Sequence, residues 1–363
     1  MPVGGVAARA RWHALTEELT IAMEGSAPGN GARAALLTLH EIQWQFPQFA
    51  IWRETTAGRI RYVARRARPG THPHTVVTGD LTEMQDMLTQ STGLPWPEPG
   101  GRPAPGMPSV ARIYDYWCGG KDHMAADRRA AGPVMAEFPE VAGIARANRA
   151  FVAHAVTYAA ARGVAQFLDI GSGLPAWPAV HQLAQGVVPA ARTVYLDHDP
   201  IVLAHSRALL ADGRSTAVAG GDLRNPKAIL TDPTVRAVIR FEEPVCLLLA
   251  AVLDFLEPEE AGRAVATLTA PLAPGSYLVI SAGTATGTDP ALLTRLRFAY
   301  AGTTTVTSYP EQAIREWFTG FGLVPPGLVD VRDWQATSPI PGLPRRRAVR
   351  FLAAIGHKHP PTI

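Results

Sequence analysis

Apolar residues in the second half of the chain come in short runs, each closed by an acid or a glycine, with helical-length stretches between them. Residues 167–170 (FLDI), 192–197 (RTVYLD) and 216–221 (TAVAGG) predict three strands, because runs this short, bounded by turn residues, leave no room for a helix. The wholly apolar run within 243–251 (EPVCLLLAA) fits a central parallel strand buried on both faces. A helix is expected over 259–270, a strand within 274–281 (PGSYLVIS), and a helix over 310–319. Residues 322–334 and 347–355 read as two closing strands in a hairpin-like pair. This order predicts an α/β, doubly wound (Rossmann-like) sheet with an antiparallel edge strand.

Upstream the pattern changes. Ala35, Leu36, Leu39, Ile42 and Phe46 recur at helical spacing over 32–46. Residues 49–54 and 58–66 read as a β-hairpin turned by TTAG. Alternation along its second strand puts Arg59, Arg61 and Arg65 on one face and Ile60, Tyr62 and Ala64 on the other. Residues 75–78 add a strand, and Asp80 caps a helix running to Gln90. Between 94 and 108 stand six prolines, a semi-rigid linker. The expected organisation is a small α+β module over 1–93, the linker over 94–108 and the main domain over 109–363. The arginine face can bind an anionic partner, or it is simply solvated.

Composition narrows the functional classes. The chain has 363 residues, more than one ordinary domain needs. No run of 18 apolar residues is free of charge or proline, so no membrane span is expected. Arg9, Arg11 and His13 break any secretory leader pattern. Only two cysteines occur, Cys118 and Cys246, which argues against a disulfide framework and a metal site and for a reducing cytoplasm. A net charge of +3 gives no reason to expect nucleic acid as a partner. Lysine is confined to Lys121, Lys227 and Lys358, so Lys121 inside a polar turn draws attention.

The chemistry centres on residues 167–175 (FLDIGSGLP). A strand ends at an acid, the chain turns through Gly171 and Gly173, and a helix is expected from Pro175. Such units bind the nucleoside part of a cofactor. Gly171, Gly173 and Ala176 satisfy the dinucleotide fingerprint, which keeps an NAD-linked oxidoreductase open. Asp169 speaks against it, since its carboxylate would repel a diphosphate. The same carboxylate suits S-adenosylmethionine, which has no phosphate and carries an ammonium and a sulfonium. The spacing of Asp169, Gly171 and Gly173 resembles the first motif of class I methyltransferases that use this cofactor. Asp197, at the end of the second strand, is placed to accept hydrogen bonds from ribose hydroxyls. Asp199 precedes Pro200 and caps the next helix. In the methyltransferase pattern Asp222 receives the adenine amino group and the Leu223 N–H meets the ring. Ser172 and His198 complete the expected cofactor set.

Residues 108–128 (PSVARIYDYWCGGKDHMAADR) cluster Tyr114, Tyr116 and Trp117 beside a Gly-Gly turn, followed by Lys121, Asp122 and His123. This reads as a lid or pocket wall; the plain alternative is a surface turn in which Asp122 caps the next helix. Arg146, Asn148 and Arg149 sit on a helix leading into the first strand. Segments 114–128, 145–151, 167–175, 194–200 and 221–226 together resemble an actinobacterial family of S-adenosylmethionine-dependent methyltransferases, formerly a domain of unknown function. The likeness spans roughly residues 107–355. It implies a class I methyltransferase fold with a seven-stranded sheet, and no known substrate. The substrate side departs from the family pattern at Cys118, His123 and Met124, at Ala179 ahead of Val180 and His181, and at Asp254 where histidine is usual.

Asp254, just after the fourth strand, is the candidate general base, with helix capping ahead of Pro258 as its plain alternative. His123 and His181 are further candidates, and Tyr114 and Tyr116 can pack on adenine or on the acceptor. The expected activity is methyl transfer to a small-molecule acceptor. A protein that binds the cofactor without turnover, using the N-terminal module to contact a partner, is the second reading.

Overall fold

The computed structural model describes residues 39, 42, 46, 49–56, 59–66, 75–92, 108–300, 303–334 and 348–359. Residues 94–107 of the expected linker and most of the helix expected over 32–46 lie outside the described residues; Leu39 and Ile42 are helical, and Ile42 and Phe46 are buried.

The described residues of the N-terminal region include β1 (Phe49–Thr56), β2 (Arg59–Arg66), β3 (Thr75–Thr78) and α1 (Leu81–Thr92). Its strands are antiparallel in the order β1-β2-β3, and Thr56 pairs with Arg59 across the hairpin turn. Asp80 caps α1, its Oδ1 accepting the N–H groups of Thr82 and Glu83 at 2.7 and 3.1 Å. Tyr62 and Ala64 are buried as alternation predicts, whereas Ile60 beside the turn is exposed and Val63, on the arginine face, is buried.

Three helices precede the main sheet: α2 (Val110–Cys118), α3 (Ala125–Glu137) and α4 (Val141–Ala160). There follow β4 (Gln166–Ile170), α5 (Val180–Gln185), β5 (Arg192–Asp197), α6 (Pro200–Leu209), β6 (Thr216–Gly220), α7 (Pro226–Thr231), α8 (Pro233–Val238) and β7 (Cys246–Ala250). The chain continues with α9 (Pro258–Thr269), β8 (Tyr277–Thr284), α10 (Pro290–Tyr300), α11 (Glu311–Glu316), β9 (Phe321–Leu323), β10 (Val329–Asp330) and β11 (Arg350–Lys358). The sheet order is β10-β11-β8-β7-β4-β5-β6, with β9 also on β11. β4 to β8 are parallel, and β11 runs antiparallel to β8, β9 and β10. Successive residues of β4, β7 and β8 alternate between two apolar layers: Phe167, Leu248 and Val279 pack with α4 on one side, Leu168, Leu247 and Ile280 with α9 on the other. The strand order reverses between β4 and β7, which opens a crevice at their carboxyl ends.

Two expectations need correction. The helix expected from Pro175 starts at Val180. Pro175 and Pro178 drive Leu174 and Trp177 out of helical geometry, because the residue before a proline clashes there, so 171–179 is an irregular loop. The expected strand over 322–334 is split into β9 and β10 by Pro325, Pro326 and Gly327, since proline offers no N–H to a ladder. Among the described residues the sheet therefore counts eight strands, where the family resemblance implied seven.

The module is seated on α6. Tyr62, Val76, Met84 and Leu88 share one apolar cluster with Ile201 and Ala204 of α6 and with Met124. At the rim, Arg207 pairs with Glu83 at 2.8 Å, and Arg59 donates to the Arg207 carbonyl at 2.9 Å.

Candidate functional site

A cavity of about 570 Å³ lies over the carboxyl ends of β4, β5 and β7. The glycine loop forms its floor. Gly171 and Gly173 have φ of +69° and +65°, the left-handed region that only glycine enters freely. A Cβ on Gly171 would fall 2.3 Å from the side chain of Val252, so the bare glycine lets the loop press against the segment after β7. The loop is tied down at both ends: Gly171 N–H and Ser172 N–H donate to the Leu196 carbonyl, and Gly173 N–H donates to Asp197 Oδ2 at 3.0 Å.

Three carboxylates from consecutive strand ends line this cavity. Asp169 is buried, which pushes its carboxyl up to about 7 even though the Arg149 guanidinium pulls it down. Asp197 is also raised by burial, against the pull of the N–H groups it accepts from Gly173 and Asp199; its Oδ1 takes His198 N–H at 2.8 Å and Asp199 N–H at 3.0 Å. Asp222 accepts the Arg224 N–H at 2.8 Å and lies 3.3 Å from its guanidinium, next to buried Leu223. Asp199 turns inward as a cap, accepting Ile201 N–H at 2.8 Å.

The opposite wall comes from α2, α4 and α10. Tyr114 donates to the Ala145 carbonyl at 3.0 Å and accepts from Asn148 Nδ2 at 2.9 Å; burial pushes its phenol up to about 12. Arg149 lies 5.2 Å from the Tyr114 ring centroid, a cation–π arrangement. The Trp117 indole meets Tyr300 edge-on at 6.1 Å. The wall is anchored by Asp127, fully buried, which accepts from Ser109 N–H, Met124 N–H and Arg112 Nε at 2.9, 2.6 and 2.8 Å. Ser109 Oγ in turn donates to Asp199 Oδ2 at 2.6 Å, fastening the start of α2 to the β5–α6 turn.

The cavity thus gathers Asp169, Gly171, Ser172, Gly173, Asp197, His198, Asp222, Leu223, Tyr114 and Asn148 from the expected set. The remaining expected residues are not on its wall. Asp254 sits in a single 3₁₀ turn, is buried, and accepts the Gly283 N–H of β8 at 2.7 Å. His123 is buried with its ring edge-on to Tyr116 at 4.8 Å, and its Nδ1 accepts from Arg128 at 3.2 Å. His181 is held at the start of α5, where its backbone N–H and Nδ1 both lie 2.9 Å from the Tyr195 hydroxyl. Lys121 is exposed, Asp122 donates its N–H to Asp115, and Arg146 reaches back to the Trp117 carbonyl. The helix cap expected of Asp122 is supplied instead by Asp127, which takes the N–H of Met124.

Arg149 and Tyr300 are wall residues to which the sequence gives no role, while Trp117 and Arg112 belong to the segment 108–128 read as a lid or pocket wall. Arg149 had a signal: it stands four residues after Ala145 and three before Val152, both buried, so helical spacing already turned its base inward.

Three acids on one wall would repel a diphosphate and favour a cationic adenosyl compound. Ser172 Oγ and Arg149 Nε are buried without a hydrogen-bond partner in the protein, so the wall holds polar groups that a ligand would satisfy. Among the described residues no group of histidine, cysteine and acid side chains could hold a metal ion, and no helix is long and apolar enough to cross a membrane.

A family model described as S-adenosyl methyltransferase matches residues 104–359. A crystal structure from Thermobifida fusca YX, carrying a provisional methyltransferase assignment, shares 37% identity, covers 70% of this chain and 96% of its own, and superposes with a TM-score of 0.66. A DUF574 family protein from Streptomyces avermitilis MA-4680 shares 36% identity over 69% of this chain and 98% of its own, with a TM-score of 0.65. No curated protein matches. With strand order, glycine loop and family match agreeing over the same residues, the chain belongs to the S-adenosyl methyltransferase family, and its cofactor is S-adenosylmethionine.

Proposed function

We propose that the chain transfers the methyl group of S-adenosylmethionine to a small-molecule acceptor bound beside it in the 570 Å³ cavity. The observation that carries this reading is the convergence of Asp169, Asp197 and Asp222 on one wall with the aromatic side chains of α2 and α10 facing them. The volume is within the usual range for small-ligand sites, about 300–1,000 Å³. Asp197 is the ribose acceptor, and Asp222 with the Leu223 N–H holds the adenine. Asp169 faces the ammonium, whose charge relieves a carboxylate that burial, against the pull of Arg149, leaves half-protonated near pH 7. Arg149, with its unmet Nε, takes the methionyl carboxylate.

The cofactor, when bound, supplies an electrophilic methyl on a good leaving group. The chain supplies orientation, worth about 7–11 kcal/mol of barrier in well-aligned systems, and exclusion of water. Tyr114, Trp117 and Tyr300 form the acceptor side. Asp254 and His123 act as structural ties in this reading: one fastens the turn after β7 to β8, the other braces the segment between α2 and α3. Residues 1–93 are read as an accessory module to the cofactor domain, 109–363; this rests on the packing of its described strands and helix against α6.

Calorimetric titration with S-adenosylhomocysteine and with NAD⁺ tests the cofactor site; heat with NAD⁺ alone would overturn it. Incubation of the protein with labelled cofactor and size-fractionated cell extract tests the acceptor: label is expected in the small-molecule fraction, and label only in macromolecules refutes that part.

A further inference from the structure

We infer that Ser281 is a positioning residue for methyl transfer, setting the left-handed turn at Ala251 and, through Asn148 and Tyr114, the wall that faces it. The inference rests on the cavity being the cofactor and acceptor site. Ser281 lies in the middle of β8, a strand buried along its whole length, and is itself fully buried. A hydroxyl in such a place costs stability unless it is hydrogen-bonded, and here both of its roles are filled. Its Oγ accepts the Ala251 N–H at 3.0 Å and donates to Asn148 Oδ1 at 2.7 Å. Asn148 Nδ2 donates to the Tyr114 hydroxyl at 2.9 Å, which donates to the Ala145 carbonyl at 3.0 Å. Every bond in this chain points the same way, so each polarises the next.

The starting point of the chain is an unusual backbone. Ala251 has φ of +54° and, among the described residues, is the one non-glycine with positive φ. Such strain persists only where the surroundings hold it. Here Ser281 holds it twice, through Oγ and through its own carbonyl, each 3.0 Å from the Ala251 N–H. Ala250, Ala251 and Val252 line the cavity, and Val252 is the side chain against which the bare Gly171 packs. One buried hydroxyl therefore joins the segment after β7, the inner face of α4 and the aromatic wall of α2, without lining the cavity itself. Loss of the hydroxyl takes one of the two ties from the Ala251 N–H, loosening the turn, and strips Asn148 Oδ1 of its donor, freeing the Asn148–Tyr114 pair to rotate.

The full-length protein and S-adenosylhomocysteine provide the test. Ser281→Ala is expected to weaken binding at least fivefold while the near-UV circular dichroism stays native. Adding Ala251→Gly to that variant should recover the part of the loss that comes from the turn, because glycine adopts positive φ without being held. Ser281→Cys, of similar volume with a weaker donor, should fall between wild type and Ser281→Ala and serves if the alanine variant does not fold. Undiminished binding in Ser281→Ala, or no recovery at all on adding Ala251→Gly, overturns the inference; a purely structural serine would lower the melting temperature without either signature. Wild-type protein that does not bind S-adenosylhomocysteine refutes the site reading instead.

Discussion

On the side of the cavity proposed for the cofactor, the cofactor half, Asp169, Asp197 and Asp222 each stand near the end of a parallel strand, within a single βαβαβ stretch. On the side proposed for the acceptor, the acceptor half, Tyr114, Asn148, Ala251 and Tyr300 come from four separate parts of the chain that meet only on folding. The first half is made by local rules: a strand end, a glycine turn and backbone N–H groups fix each carboxylate where its own segment leaves it. The second is made by packing, and its polar groups are spent largely on one another, as in the run from Ala251 through Ser281 to Tyr114. A substitution in the cofactor half should therefore remove one contact, whereas a substitution in the acceptor half should move a wall.

The largest effect is expected in the first half. Asp197→Ala should weaken S-adenosylhomocysteine by about 1.5–3 kcal/mol, the usual worth of hydrogen bonds to a charged group, or roughly 10- to 150-fold by calorimetry. The carboxylate also holds Gly173 and the β5–α6 turn, so a loss no larger than that of an exposed residue would show that the two halves are not built differently.

A smaller effect follows from Asp169. Burial raises its carboxyl to about 7, so in the free protein it is increasingly protonated below that pH. Binding an ammonium favours the carboxylate, so affinity should fall as pH drops below 7, by up to about tenfold per pH unit, and level off above it. Calorimetry from pH 5.5 to 8 reads the slope directly. Asp197 is raised as well, so Asp169→Asn, which should flatten Asp169's share, separates the two. An identical slope in wild type and variant would move the ammonium contact elsewhere.

The smallest change is expected at Asp254. Asparagine can still accept the Gly283 N–H, so Asp254→Asn should leave cofactor affinity and turnover close to wild type. Its effect belongs to stability. The folded pKa of about 7 lies above the ordinary value of 3.8, so the native state keeps a proton that the unfolded chain loses. Stability from this group is full below about pH 4 and is lost as pH rises through 7. The asparagine variant should match wild type in melting temperature near pH 4 and equal or exceed it at pH 8. Abolished methyl transfer with intact cofactor binding would instead restore Asp254 to the chemistry.

Much of the fold was legible because its signals are local. The run 192–197 became β5 without a residue of error, Asp80 capped its helix, and the glycine loop turned where two glycines permit positive φ. What the sequence does not show shares a cause. Proline at 175 was read as a helix start, but a second proline three residues on made the intervening loop irregular. Asp254, just after a strand, and His123, in the polar segment after a Gly-Gly turn, are candidates by position alone, with helix capping the alternative for Asp254. Nothing in the spacing shows that one is turned onto β8 and the other onto Tyr116 and Arg128. Ser281 was invisible for the same reason, a lone hydroxyl in an apolar strand with its partner more than a hundred residues away.

By itself the chain determined the parallel sheet, the turn at Gly171 to Gly173 and the acids at three strand ends, since strand length, turn geometry and side-chain alternation are set by neighbours in sequence. Only the tertiary structure decided that the N-terminal module sits on α6, that Arg149 faces Asp169, and that Asn148, Ser281 and Ala251 form one hydrogen-bonded wall. Those depend on which buried surfaces meet, and hydrophobic patterning says that a face is buried without saying against what.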